Sequence, residues 1–220
     1  MGKSVYSLVL NDNVVDEIDK VAYTVGSSRS NLINQILAEY VSYITPEKKM
    51  QSIFETMNQI MGTQDIFKMQ SHASDSMFSI LSALKYKYNP TIRYCVELST
   101  AADAIGILRI VFRTQSESLI LALSDFFEIF SGLENEYLKE YFDDGVVWDF
   151  TSGKFSRTLK FEKNASAITA EQLGHAIAYY IGVLDAAIKD YFSHLDKPTL
   201  ALAAISKRVK QYKKNTLIKL

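Results

Sequence analysis

The stretch SVYSLVLNDNVVDEIDKVAYTVGSSRSNLINQILAEYV, residues 4–41, decides how the rest of the chain is read. Its first residues, Ser4 to Leu10, alternate: Tyr6, Leu8 and Leu10 fall on one face and Val5, Ser7 and Val9 on the other, the period of a half-buried strand. No second strand follows within hairpin distance. The backbone groups of a lone strand need partners, and an identical strand from a second chain is the simplest source. Asn11 and Asp12 then offer N-cap oxygens, Val14, Ile18, Val21 and Ala22 recur at helical spacing, and Gly26 supplies a stop, so a helix is predicted over 12–25. Ser27 and Ser28 can cap a second helix, whose apolar positions Ile33, Ile36, Leu37, Tyr40, Val41 and Ile44 form one stripe.

One strand and two short helices cannot enclose a core, and domains this small rely on metal, disulfides or oligomerisation. Cys95 is the single cysteine, which removes both a disulfide framework and a cysteine-rich zinc site. Dimerisation is the remaining route. The succession of strand VYSLVL, helix NDNVVDEIDKVAYTVG and second helix SSRSNLINQILAEYV, opened by Ser-Arg-Ser, resembles the ribbon-helix-helix family of DNA-binding repressors over residues 1–45. The resemblance implies a homodimer in which two N-terminal strands pair antiparallel about a two-fold axis and the ribbon enters the major groove of double-stranded DNA. It implies base contacts from Lys3, Val5, Ser7 and Val9, and phosphate contacts from Ser28, Arg29 and Ser30, where the second helix begins. Two features depart from the family's habit. Its outward row usually carries Lys, Arg, Gln or Asn where Val5 and Val9 stand here, and Lys3, Lys20 and Arg29 are outnumbered in this segment by Asp12, Asp16, Glu17, Asp19 and Glu39. The segment alone is therefore expected to bind phosphates only modestly.

The whole chain has 220 residues, 48% of them hydrophobic and 22% charged, with a net charge of −1, so it is an ordinary globular sequence and any DNA contact must be local. The strongest local charge lies at the other end. No acidic residue follows Asp196, and Lys207, Arg208, Lys210, Lys213 and Lys214 make a cationic arm that reads as an auxiliary DNA contact, a membrane-surface segment or a solvated terminus. The absence of a signal-like stretch and of any run near 20 apolar residues leads us to expect a cytoplasmic protein without membrane contact.

Thr45-Pro46-Glu47 marks a boundary, and residues 46–220 read as a second, α+β domain, mostly helical with a small antiparallel sheet. Helices are predicted at 47–61, 64–83, 116–141, 168–194 and 198–216. Alternation predicts paired strands at 92–98 and 107–113, and a hairpin of 146–150 with 155–161 around Thr151-Ser152-Gly153-Lys154. Arg93, Arg109 and Arg113 line either an anion site or a solvated strand face, and Cys95 reads as a small packed hydrophobe. The acidic run Glu134, Glu136, Glu140, Asp143 and Asp144 reads as a solvated helix end rather than a cation site. His72, His175 and His194 are scattered, and metal-ligand spacings and glycine-rich phosphate loops are absent, so neither catalysis, a metal nor a cofactor is expected.

The function expected is that of a homodimeric, sequence-specific transcriptional regulator, such as a repressor, with residues 46–220 answering to a small-molecule effector or stabilising the dimer or a higher oligomer. One alternative is a DNA-bound adaptor, as in plasmid segregation or conjugation, whose large domain recruits a protein partner. Another is a dimeric enzyme or interaction domain with an N-terminal arm that does not bind DNA.

Overall fold

A computed structural model describes residues 5–70, 76–100, 104–151, 154–163 and 167–220. The chain divides into two compact units, Met1–Lys48 and Lys49–Leu220.

The first unit is a helical hairpin preceded by an arm, residues 5–10, without regular secondary structure. Helix α1, Asp12–Thr24, starts where the Asn11 side chain accepts a hydrogen bond from the Asn13 amide at 3.0 Å. It ends at Gly26, whose φ of +65° lets the Ser27 amide turn back to the Ala22 carbonyl at 2.9 Å. Helix α2, Arg29–Tyr40, is capped by Ser28, whose Oγ accepts from the Asn31 amide at 3.2 Å. It stops a turn before Ile44, the end of the apolar stripe. Ser42 takes a φ of +56° and the Tyr43 amide bonds the Ala38 carbonyl at 2.7 Å, so Val41 is a C-cap and Ile44 lies outside the helix. The strand expected over Ser4–Leu10 is not shown: residues 5–10 carry no regular secondary structure, and the first strand of the described residues begins at Phe67.

The second unit opens with α3, Pro46–Gly62, whose first turn crosses the division between the units. A six-stranded antiparallel sheet follows, made of β1 (Phe67–Met69), β2 (Met77–Ala83), β3 (Thr91–Leu98), β4 (Gly106–Phe112), β5 (Trp148–Thr151) and β6 (Lys154–Leu159), in the spatial order β1-β2-β3-β4-β6-β5. Helix α4, Glu117–Leu138, extends into a 3-10 turn at Lys139–Tyr141 and sits between β4 and β5 in sequence. The chain closes with α5, Ala170–Ser193, and α6, Pro198–Asn215. The unit is α+β, as expected.

The helix predicted over 64–83 is corrected to two strands. Met77, Ile80, Leu81 and Leu84 satisfy helical spacing, but Phe78 and Ile80 also alternate with Met77, Ser79 and Leu81, and the second period wins because β3 pairs with this segment along its length. The hairpin of β5 and β6 brackets Ser152 and Gly153, which lie outside the described residues.

Register puts apolar residues in cross-strand rows on one face. One row is Ile80, Tyr94, Ile110 and Phe155, and the next is Phe78, Val96, Leu108 and Arg157. Helices α3, α4 and α5 all meet this face: Phe54 stacks on Phe78, Phe127 on Phe155 at 3.9 Å between centroids, and the Tyr94 hydroxyl donates to Asp185 at 3.0 Å. Gly174 lets α5 cross α3 closely, since a Cβ there would lie 2.8 Å from the Ile53 carbonyl oxygen and 2.7 Å from the Thr56 Cβ. Helix α6 rests on α4 and α5 through Ala201, Ile205, Val209 and Tyr212. The opposite sheet face, which includes Ser79, Leu81, Arg93, Cys95, Ile107 and Val111, is half-buried.

Candidate nucleic-acid interface

The physical peculiarity of the first unit is how little of its apolar surface is covered. Among its described apolar side chains only Ala22, Leu32 and Ala38 are buried, while Val14, Val21, Ile36, Leu37, Val41 and Ile44 are between 47% and 70% exposed. A hairpin with so small an interior cannot offset the entropy of ordering its own backbone. Burial does not separate the two rows read from the arm's sequence, since Tyr6, of the row with Leu8 and Leu10, is 83% exposed. Val5 and Val9 are fully exposed, whereas Leu8 and Leu10 are 61% and 39% exposed. Tyr6, Leu8 and Leu10 border a concavity of about 850 Å³ that is completed by Val9 of the other row, by Val15 and Asp19 of α1, and by Arg29, Ser30 and Ile33 of α2.

Of the residues implied as base contacts, Val5, Ser7 and Val9 are exposed on the arm, and Lys3 lies outside the described residues. Ser28, Arg29 and Ser30 are exposed together where α2 begins. The first helical bond there runs from the Leu32 amide to the Ser28 carbonyl at 3.0 Å, so the amides of Arg29 and Ser30 precede the ladder and have no acceptor within the helix. No acidic residue occupies the first turn of α2, in contrast to Asp12 in α1, and the positive end of its dipole is left unopposed from within the helix.

Arg29 itself is occupied. Its Nε and Nη2 donate to the two carboxylate oxygens of Asp19 in a bidentate pair. The hydrogen bonds from the Arg29 fork hold the Asp19 carboxyl below its ordinary range, and Asp19 in turn raises Arg29. Lys20 is likewise paired, with Glu17 at 2.7 Å. Among the described residues 5–45, both cations therefore face a carboxylate. The spacing of ten residues between Asp19 and Arg29 hides the pair from sequence reading, because only the packing of α1 on α2 brings them together.

The candidates in the second unit are dispersed. Arg93 and Arg109 share the half-buried sheet face, with Arg109 opposite Cys95 and ion-paired to Glu97; Arg113 lies beyond the end of β4. Cys95 contacts the Ser79 hydroxyl at 3.6 Å. The acidic run is also split: Glu140 pairs with Lys213, Asp144 with Lys160 and Asp143 with Lys163. Glu134 overturns its solvated reading altogether, since it is buried and accepts hydrogen bonds from Trp148 Nε1 at 2.7 Å, Tyr180 Oη at 2.9 Å and Arg157 Nε at 3.2 Å. Burial raises the Tyr180 hydroxyl well above its ordinary pKa, so it stays a donor to Glu134. Among the described residues no group of three or more His, Cys, Asp or Glu side chains is arranged to hold a metal, and His72 lies outside them.

Of the cationic arm, Arg208 bonds Asp190 at 2.8 Å and Lys213 bonds Glu140 at 2.7 Å, while Lys207, Lys210 and Lys214 are exposed along α6. No helix of the described residues is long and apolar enough to cross a membrane. No protein-family model, no curated protein and no solved structure matches the chain.

Proposed function

We propose that this protein is a homodimeric DNA-binding regulator of the ribbon-helix-helix type. The arm Val5–Leu10 pairs with its copy into a two-stranded ribbon, and the ribbon's outer row, Val5, Ser7 and Val9, faces the major groove. What carries the reading is the uncovered apolar surface of the first unit: an arm outside any strand and two helices whose large apolar side chains remain mostly exposed in one chain. A second copy covers like with like and gives the arm its backbone partner. The exposed start of α2 supports phosphate binding at the flank of such a ribbon. The valines favour thymine methyl groups over hydrogen-bonded readout, which makes a modest base preference the expected behaviour.

A titration of the full chain against its own upstream DNA and an unrelated duplex, each at two salt concentrations, tests the proposal. Tighter binding to the upstream DNA that weakens with salt is expected. Failure to bind either duplex at low salt would reduce the first unit to a dimerisation arm.

The Asp19 pair yields a sharper expectation. Asp19→Asn removes an anion that competes with phosphate for the Arg29 fork, so duplex affinity rises several-fold and the salt dependence steepens by about one unit of log–log slope. Anisotropy titration reads both. A fall in affinity would mean instead that Asp19 orients Arg29, and no change would place Arg29 away from the DNA.

A second reading, a DNA-bound adaptor, draws on the half-buried sheet face that carries Leu81, Ile107 and Val111 beside Arg93 and Arg109. A mixed apolar and charged sheet surface of this kind suits recruitment of a protein partner.

A further inference from the structure

We infer that α6 is a second, sequence-independent phosphate-binding surface for duplex DNA, formed by Lys207, Lys210 and Lys214 on a unit separate from the ribbon. The inference rests on the DNA-binding reading above and deepens it.

The starting point is a sorting of charge that only the fold performs. Helix α6 carries five cations, and Arg208 and Lys213 are each neutralised by a carboxylate of a neighbouring helix or turn, Asp190 and Glu140. Lys207, Lys210 and Lys214 have no ion pair among the described residues and stand exposed at i, i+3 and i+7, one side of the helix. The Lys210 Nζ lies 5.3 Å from the Tyr137 ring centroid, a cation–π contact that positions the ammonium without neutralising its charge. The three lysines border one shallow concavity of about 630 Å³, where Thr199, Ser206 and Gln211 add neutral hydrogen-bond donors beside Leu202 and Ala203.

The geometry suits a DNA strand. Seven residues of helix span roughly 10.5 Å at 1.5 Å per residue, and each strand of a duplex presents one phosphate per about 3.4 Å of axis. Three lysines can therefore engage three nearby phosphates of one strand. The free cations also supply what the first unit lacks, since both cations described in residues 5–45 are paired with carboxylates. A membrane surface is a poorer match. An interfacial helix must present a broad apolar face to lipid, and most of the apolar face of α6, Ala201, Ile205, Val209 and Tyr212, is buried against its own unit, leaving only Leu200 and Leu202 as exposed large apolar side chains.

The test uses the full chain and a duplex unrelated to its upstream region, titrated by anisotropy between 50 and 200 mM salt. Lys207→Ala/Lys210→Ala/Lys214→Ala lowers the log–log salt slope by about 2 to 3 and weakens low-salt binding at least tenfold, as expected for three lost phosphate contacts. Arg208→Ala/Lys213→Ala leaves the slope unchanged, because those cations are already compensated. Leu8→Asp, which removes the ribbon, retains weak salt-steep binding that disappears when the three lysines are also replaced. An unaltered slope in the triple variant overturns the inference while the ribbon reading stands. Leu8→Asp binding as tightly as the parent overturns the ribbon reading and leaves α6 as the DNA contact. Absence of duplex binding in every variant, or binding only to vesicles containing phosphatidylserine, overturns both.

Discussion

Replacing Glu134 with Ala is expected to destabilise the second unit by about 3–5 kcal/mol, the range for removing one partner of a buried ion pair. Three donors converge on this carboxylate, from Trp148, Tyr180 and Arg157, and each loses its acceptor at once. The larger cost is the charge left behind. Arg157 is 1% exposed on the inner face of β6, and its remaining support is a hydrogen bond from Nη2 to the Leu220 main-chain oxygen and the Tyr180 ring 4.6 Å away. Its Nη1 already lacks a hydrogen-bond partner, so the guanidinium has little margin before an unpaired cation is buried. With Glu134 gone, Arg157 does not escape by losing its proton, because a guanidinium stays charged in proteins. Urea unfolding followed by Trp148, the sole tryptophan, measures the effect. Glu134→Leu combined with Arg157→Met should recover much of the loss, because the double replacement removes both charges. A loss below about 1 kcal/mol for Glu134→Ala would mean that water reaches the pair.

That network also shows where sequence reading runs out. Phe155, Arg157 and Leu159 alternate inward along β6, and a charged residue on the inner row of a predicted strand is itself a signal of a buried partner. The partner's identity is not legible, because Glu134 lies 23 residues away among acids that do reach solvent. Local signals fared better. The Asn11 and Ser28 caps and the Gly26 stop act over three or four residues, and α1 and the start of α2 are where the pattern places them. The strands Thr91–Leu98 and Gly106–Phe112 were legible because one row is uniformly apolar and the other mixed. Strand β2 was not, since apolar residues on both of its rows satisfy two periods together and long-range pairing with β3 decides between them. In the candidate interface, exposure of the α2 start follows from its cap, whereas the capture of Arg29 by Asp19 depends on how α1 meets α2.

Leu8→Asp is expected to convert the proposed dimer to monomer and to abolish the specific DNA binding proposed for it. In the proposed ribbon Leu8 belongs to the inner row with Tyr6 and Leu10, and two-fold symmetry introduces two carboxylates for each substitution. Each must lose water in an apolar interface without a cation beside it, and like charges brought together across a two-stranded ribbon repel. Sedimentation equilibrium measures the dimer and anisotropy the DNA affinity. Val9→Asp provides the contrast. Val9 is fully exposed and belongs to the outer row of the proposed ribbon, so this change leaves the proposed dimer intact and places a negative charge at the groove, removing specific DNA binding alone. The two variants thus separate assembly from recognition by a shift of one residue, the step that moves a strand's side chain to its other face. A Leu8→Asp protein that remains dimeric would transfer assembly to another surface, and one that also binds its upstream DNA with parental affinity would end the ribbon model.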